Sequence, residues 1–430
     1  MLFICSLWVW YRCVRYDSRV MLFGGGGYLL FAAVYTWYTP LSVRSNDWED
    51  HLKYVLFVSR NWTIPPVGAG CEFHQSPLYY FIAATLSDLT TKENIPSILQ
   101  SLSYVIIALS ISVYYKIVFL SFPLATQVKQ RIFSFWPWLI LPASVWSFSR
   151  VTNDSLFTAC SFLFIYSLQQ WSINQRTKYF LQTLLYVVIA VLIKKTAFLL
   201  VAIFFISIFY FNRKKLVQQM LFHSSILLVS LFAGTGWYFL ERYFFNTQHA
   251  FLDIESCINS RFEMPFQINH FIHFSLSNIW ASPWAFPTST NPNRVYFWEY
   301  LISSSCFSYW TGGNVIKSIA SPVVMGTTFF VSILFLSFFL LRIFRNTATH
   351  LFLLVSFIGI AGLIALRIDS PYPWHQDYRL IFFTLPAFGI LGAHVLSHNK
   401  YLDRCLWVLF ILLLCGSVIA NVSLLLGFQT

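Results

Sequence analysis

Asp47, Glu49, Asp50 and His51 stand within one short stretch, "SNDWEDHLKYV" (45–55), of a chain in which only 10% of residues are charged. Carboxylates take protons from attacking hydroxyls, and with an imidazole they also hold divalent cations. Acidic groups beside a bilayer are costly unless something uses them. Asn46 suits a helix N-cap, and Glu49 three residues on completes a capping-box-like pair. A helix starting there puts Asp47, Asp50 and His51 on one face by the i, i+3, i+4 rule, with Leu52, Val55, Leu56 and Phe57 toward the membrane or the bundle. The same acids suit the positive end of a helix dipole equally well. Further on, "CEFHQSPLYY" (71–80) supplies Glu72, His74 and Gln75 before a proline that opens a short helix. Glu72, His74 and Asp50 make a divalent-metal site if the fold brings them together.

The elements that must position these groups are membrane helices. The chain has 430 residues, 57% hydrophobic and 20% aromatic; soluble domains carry about a quarter charged residues. Repeated apolar stretches of about 20 residues define an all-α polytopic membrane protein, and strand alternation of the outer-membrane-barrel kind is absent. The runs predict about eleven spans, over 20–40, 97–120, 132–149, 155–171, 179–193, 196–212, 217–240, 321–341, 350–366, 379–397 and 405–425. "PLYYFIAATLSDL" (77–89) is too short to cross and reads as interfacial or re-entrant. The chain reads as one transmembrane domain over 1–430 with no separate soluble domain.

With the N-terminus cytoplasmic, the connections holding Arg12, Arg15 and Arg19, Lys129 and Arg131, Arg176 and Lys178, Arg213 to Lys215, Arg342 and Arg345, and Lys400 and Arg404 all fall inside. Of the 16 acids, only Asp17 and Asp403 share that side. The working face is therefore external, on two long loops over about 41–96 and 241–320. The +12 charge reflects cytoplasmic anchoring and argues against a nucleic-acid partner. Residues 1–12 lack signal-peptide order and read as an uncleaved start. "GGGG" at 24–27 permits close helix contact or a kink. The eight cysteines show no zinc spacing; Cys71, Cys257 and Cys306 read as external, with room for one disulfide among them. Asn61 begins an external glycosylation sequon.

Taken in order, these segments resemble the GT-C superfamily of integral-membrane glycosyltransferases, with likeness to bacterial lipid A aminoarabinose transferases and protein O-mannosyltransferase-like proteins. Asp47 to His51 followed by "HQSPLYY" (74–80) is similar to the family's first external loop. "SRVTNDSL" (149–156), "IKKTAFLL" (193–200), "GTGWYFLERYFF" (234–245), "FWEYLISSSCFSYW" (297–310) and "HQDYRLIFFTLPAFGIL" (375–391) look like later family segments. The pattern departs at Trp48, where relatives with an Asp-Glu pair carry the second acid.

The resemblance implies inverting transfer of a sugar from a polyprenyl-phosphate donor to a hydroxyl of a glycan, lipid or protein, at the periplasmic or lumenal face of a bacterial inner membrane or the endoplasmic reticulum. It implies Asp47 as base, with Asp50 one turn away as the alternative. It implies Lys195 and Arg379 on the donor phosphate, with Lys194 and Arg150 behind them. His51, Glu72, His74, Gln75 and Asp154 fall to the acceptor side or to support of the acids; Asp154 with Asn153 also suits a plain N-cap. No cofactor follows for certain; a divalent ion is the one candidate. Two other readings stand beside this one. The first is a catalytically degenerate GT-C-like subunit of a membrane complex. The second is a lipid-linked substrate transporter, which the one-sided acids argue against.

Overall fold

The computed structural model describes residues 19–41, 45, 47–66, 70–141, 143–144, 150–212, 217–245, 264, 266–285, 295–307, 314–396 and 400–427. The described residues are helical with no strand. In chain order the helices are α1 (Arg19–Tyr38), α2 (Trp48–Asn61), α3 (Leu78–Ser87), α4 (Ile95–Ser121), α5 (Val128–Ser134), α6 (Trp136–Ile140), α7 (Asp154–Asn174), α8 (Thr177–Ile193) and α9 (Phe198–Asn212). There follow α10 (Val217–Phe245), α11 (Asn269–Ile272), α12 (Leu276–Ala281), α13 (Phe297–Cys306), α14 (Asn314–Leu340), α15 (Thr347–Asp369), α16 (Leu385–Leu396) and α17 (Lys400–Gly427).

Six helical stretches are long and apolar enough to cross a membrane: Lys92–Ser121, Val217–Phe244, Lys317–Leu340, Thr349–Asp369, Tyr378–Leu396 and Lys400–Ser423. All six coincide with expected spans. Of the other five expected, 20–40 is the helix α1, and four differ for visible reasons. The stretch 132–149 is not one helix among its described residues: α5 ends at Ser134, Phe135 takes a non-helical conformation, and Pro137 opens α6. Proline lacks the N–H a continuing helix would use, so the chain restarts there. Helix α7 is long but carries Thr158, Ser161, Ser167, Gln169 and Gln170. Helices α8 and α9 have 17 and 15 residues, rising about 25 and 22 Å against a hydrocarbon core of about 30 Å.

Within the single transmembrane domain read from the sequence, the chain gathers into two compact units. The first takes the described residues of 41–117 and 148–259. Here α7 and α8 form a hairpin turned by Gln175 in the left-handed conformation. Gly234 of α10 lies so close to α8 that an added Cβ would overlap the Val188 side chain. The first long loop folds onto this frame. Tyr54, Val55 and Val58 of α2 pack with Phe73, Tyr79, Tyr80 and Ala83, and with Leu99 and Val151. Tyr54 stacks on Tyr80 with centroids 3.7 Å apart. Thus α2 is amphipathic, as its pattern predicts, and its apolar face is covered by protein. Helix α3 has ten residues, in keeping with a segment too short to cross.

The second unit takes the described residues of 14–40, 118–147 and 260–430. Small residues set its closest approaches: a Cβ on Gly326 would meet Leu413 at 2.7 Å, and one on Gly392 would meet Trp136 at 2.9 Å. Close packing of this kind holds helices together where lipid removes the hydrophobic drive. Gly27, in the "GGGG" run, has nothing within 4 Å of such a Cβ, so it makes no close contact. Lys129 lies 3.7 Å from Asp403, joining two connections assigned to the same face.

Candidate functional site

Helix α2 starts one residue later than its sequence predicts. Asp47 is its N-cap, and Asn46 lies outside the described residues. The Asp47 carbonyl takes the amides of Asp50 and His51, while its side chain makes no cap bond. The carboxylate is thereby turned outward to Arg150, whose Nη2 donates to Oδ1 at 2.7 Å; Ser45 Oγ donates to the same oxygen at 3.3 Å. Arg150 is 4% exposed, so its guanidinium is shielded from water, while Asp47 stays partly exposed.

One turn into α2, His51 is buried beside the same acid. Its Nδ1 is 2.7 Å from the Tyr80 hydroxyl. Its Nε2 lies 3.9 Å from Asp47 Oδ2 and 4.0 Å from Glu72 Oε2, beyond hydrogen-bond length of both. Glu72 arrives from a 3-10 turn, Cys71–His74, and is steadied by Gln75 Nε2 at 3.0 Å. Burial keeps the Tyr80 hydroxyl protonated, well above its ordinary range.

Asp47, His51 and Glu72 therefore converge, each offering one ligand atom within 4.8 Å of the others. Two carboxylate oxygens and one imidazole nitrogen suit a divalent cation of borderline hardness. The groups around them fit that use as well: Arg150 and Ser45 orient one carboxylate, Gln75 the other, and Tyr80 the imidazole. Without an ion, Tyr80 can donate to Nδ1 and leave the Nε2 hydrogen between the acids. With one, Nδ1 donates to Tyr80 and the Nε2 lone pair faces the cation. This triad differs from the set expected from the sequence. Asp50 takes no part in it and pairs with Lys53 at 2.8 Å on the more exposed side of α2.

His74 sits beside the triad. Its Nδ1 bonds the Cys71 carbonyl at 2.7 Å, and its Nε2 lies 3.2 Å from Gln75. Burial, helped by Lys195 and His51 and opposed by Glu72, holds His74 below the ordinary imidazole range. Half-buried Lys195 thus lies within electrostatic reach of this loop. Its neighbour Lys194 is committed elsewhere, in a buried ion pair with Asp154. One position along the chain decides this: Lys194 ends α8 in an extended conformation, and Lys195 opens the 3-10 turn that follows.

Asn153 occupies the N-cap of α7 without capping it. Its amide donates instead to Gln75 Oε1 at 3.3 Å and to the Ile193 carbonyl at 3.0 Å, tying loop, α7 and α8 together. Arg242 is a second tie that sequence reasoning left without a role. Buried near the end of α10, it donates to the carbonyls of Pro65 and Phe73 at 2.7 Å each and lies over the Tyr238 ring. A lone arginine late in an apolar helix was the available signal. Tyr80 had only its place in "HQSPLYY".

Arg379 belongs to the second unit. It lies in a 3-10 segment with its Nε 3.7 Å from Asp377, whose side chain caps the Arg379 amide. Cys71 is disulfide-bonded, whereas Cys306 is buried and free; Cys257 lies outside the described residues.

The described residues form an all-helical chain with six helices long and apolar enough to cross a membrane, and a partly buried cluster of Asp47, His51 and Glu72. No family model matches the sequence, and no curated protein matches it.

Proposed function

We propose that the chain is a GT-C-like membrane glycosyltransferase of about eleven spans, moving a sugar from a polyprenyl-phosphate donor to a hydroxyl acceptor with inversion. The observation that carries this reading is the Asp47 carboxylate, held at 2.7 Å by Arg150 and facing buried His51 and Glu72. The acceptor oxygen attacks the anomeric carbon and the bond to the phosphate oxygen breaks. The acceptor's proton passes to Asp47, and the departing phosphate keeps the electron pair. Lys195 and the Arg150 guanidinium are the first-unit cations nearest to that task. Arg379 remains a candidate from its motif alone. A divalent ion, where used, is held by Asp47, His51 and Glu72 and supplies Lewis-acid charge stabilisation.

External placement of the loop agrees with the basic cytoplasmic connections and with the disulfide at Cys71, since disulfides persist in oxidising compartments. One observation favours a second reading, a catalytically silent GT-C-like subunit: Asp47 and Asp154 are each ion-paired to a cation. The test is Asp47→Asn in the full chain, assayed in membranes with polyprenyl-phosphate sugars and with insertion checked. Loss of transfer with normal insertion supports the enzyme. Transfer at the wild-type rate removes Asp47 as the base, and no transfer by the wild type with any donor favours the silent subunit.

A further inference from the structure

A second charged group is buried in the other unit, outside the site above. Arg367 stands in the last turn of α15, at the end of the apolar stretch Thr349–Asp369, and is 1% exposed. Its Nη1 reaches the Met264 carbonyl at 3.4 Å. Its Nε and Nη2 are buried and have no hydrogen-bond partner among the described residues. These two nitrogens form one edge of the guanidinium, the edge that binds an oxyanion with two parallel hydrogen bonds. His270, on the short α11, is 8% exposed, and its Nδ1 is likewise buried and without a partner.

We propose that Arg367 and His270 bind the oxyanion of a phosphate group. A guanidinium taken out of water with an empty fork is costly, and buried polar atoms are nearly always satisfied. A phosphate has oxygens enough to fill the fork and still reach the imidazole. A carboxylate would have to share one of its two oxygens between the fork and the imidazole. Burial first, and then the charge of Arg367, hold His270 below its ordinary range, which places the two groups within electrostatic reach of each other and keeps the imidazole neutral. The end of an apolar spanning helix lies near headgroup depth, so the phosphate comes either from a phospholipid headgroup or from solution. This site is independent of the reaction proposed for the first unit.

The experiment compares thermal unfolding of the full chain in two settings. One is detergent with inorganic phosphate against chloride at equal ionic strength; the other is phosphatidylcholine nanodiscs with and without phosphatidic acid. The wild type is expected to gain stability in at least one setting, and which one identifies the source. Arg367→Met should weaken the apparent affinity on the order of 10- to 100-fold, the worth of hydrogen bonds to a charged group. His270→Ala should weaken it less, and decides the matter if Arg367→Met does not insert. No response of the wild type to either phosphate source, or responses unchanged in the variants, would overturn the proposal.

Discussion

Arg150 Nη2 donates to Asp47 Oδ1 at 2.7 Å across 103 residues of chain, with the arginine almost wholly buried. The pairing turns the Asp47 carboxylate away from its own helix end, where it makes no cap bond.

Asp47→Asn is expected to lower sugar transfer by about 10²- to 10⁴-fold, the usual range for a positioned acid–base group. Arg150→Met should be worse for folding, because it strands a carboxylate in a partly shielded position. Losing one partner of a buried pair costs about 3–5 kcal/mol, and partial exposure of Asp47 puts this case toward the lower figure. Thermal unfolding of the two variants, beside the transfer assay, separates the roles: Asp47→Asn should lose rate more than stability.

Divalent-ion binding gives a second check. Mn²⁺ or Zn²⁺ titrated calorimetrically into the full chain should bind the wild type, and Glu72→Ala or His51→Ala should abolish the heat. Tyr80→Phe removes the hydrogen bond that orients His51 and leaves Nδ1 unpaired, at a cost of about 1–3 kcal/mol. Losses of this type weaken metal affinity about 10- to 100-fold. Equal affinity in Glu72→Ala and wild type would rule out the triad as the ligand set.

Arg242 should act as a staple for the first loop. Arg242→Met removes two charge-assisted bonds to the carbonyls of Pro65 and Phe73, each worth about 1.5–3 kcal/mol. The expected result is faster proteolysis within the first loop while the spans stay protected. Arg242→Lys should restore little, since a single ammonium lacks the fork that meets two carbonyls at once.

The pH dependence of loop stability follows from His74. Its folded-state pKa lies below the ordinary 6.5, chiefly through burial. Above that value both states are neutral there and nothing is lost. As pH falls through it, the unfolded loop takes a proton that the folded one refuses, so stability declines until the folded pKa is passed. The opening free energy of residues 71–80, from hydrogen exchange corrected for the intrinsic rate at each pH, should therefore fall on acidification below about pH 6.5, and His74→Gln should flatten the response. An equal slope in His74→Gln would assign the effect to another group.

Several of these features were legible in the residues. The apolar runs announce membrane helices because burying backbone in lipid demands helices about 20 residues long. The 3.6-residue period of 47–60 shows which face of α2 packs, since Tyr54, Val55 and Val58 recur on one side. The pairing of Asp47 with His51 is also readable, being one helical turn. Local chemistry misleads at the helix ends. Asn153 and Asp47 occupy cap positions, yet their side chains serve distant partners, Gln75 and Ile193 for the one and Arg150 for the other.

By itself, then, the sequence determined the helical, membrane-type class and the helix that presents Asp47 and His51. Only the tertiary structure decided which acids meet. Glu72 joins the triad and Asp50 turns to Lys53; Lys194 is spent on Asp154 while its neighbour Lys195 reaches toward His74. The reason is physical. Helical spacing is set by bonds within a few residues, whereas contacts across 21 to 103 positions depend on how separate helices pack, and no local periodicity encodes that.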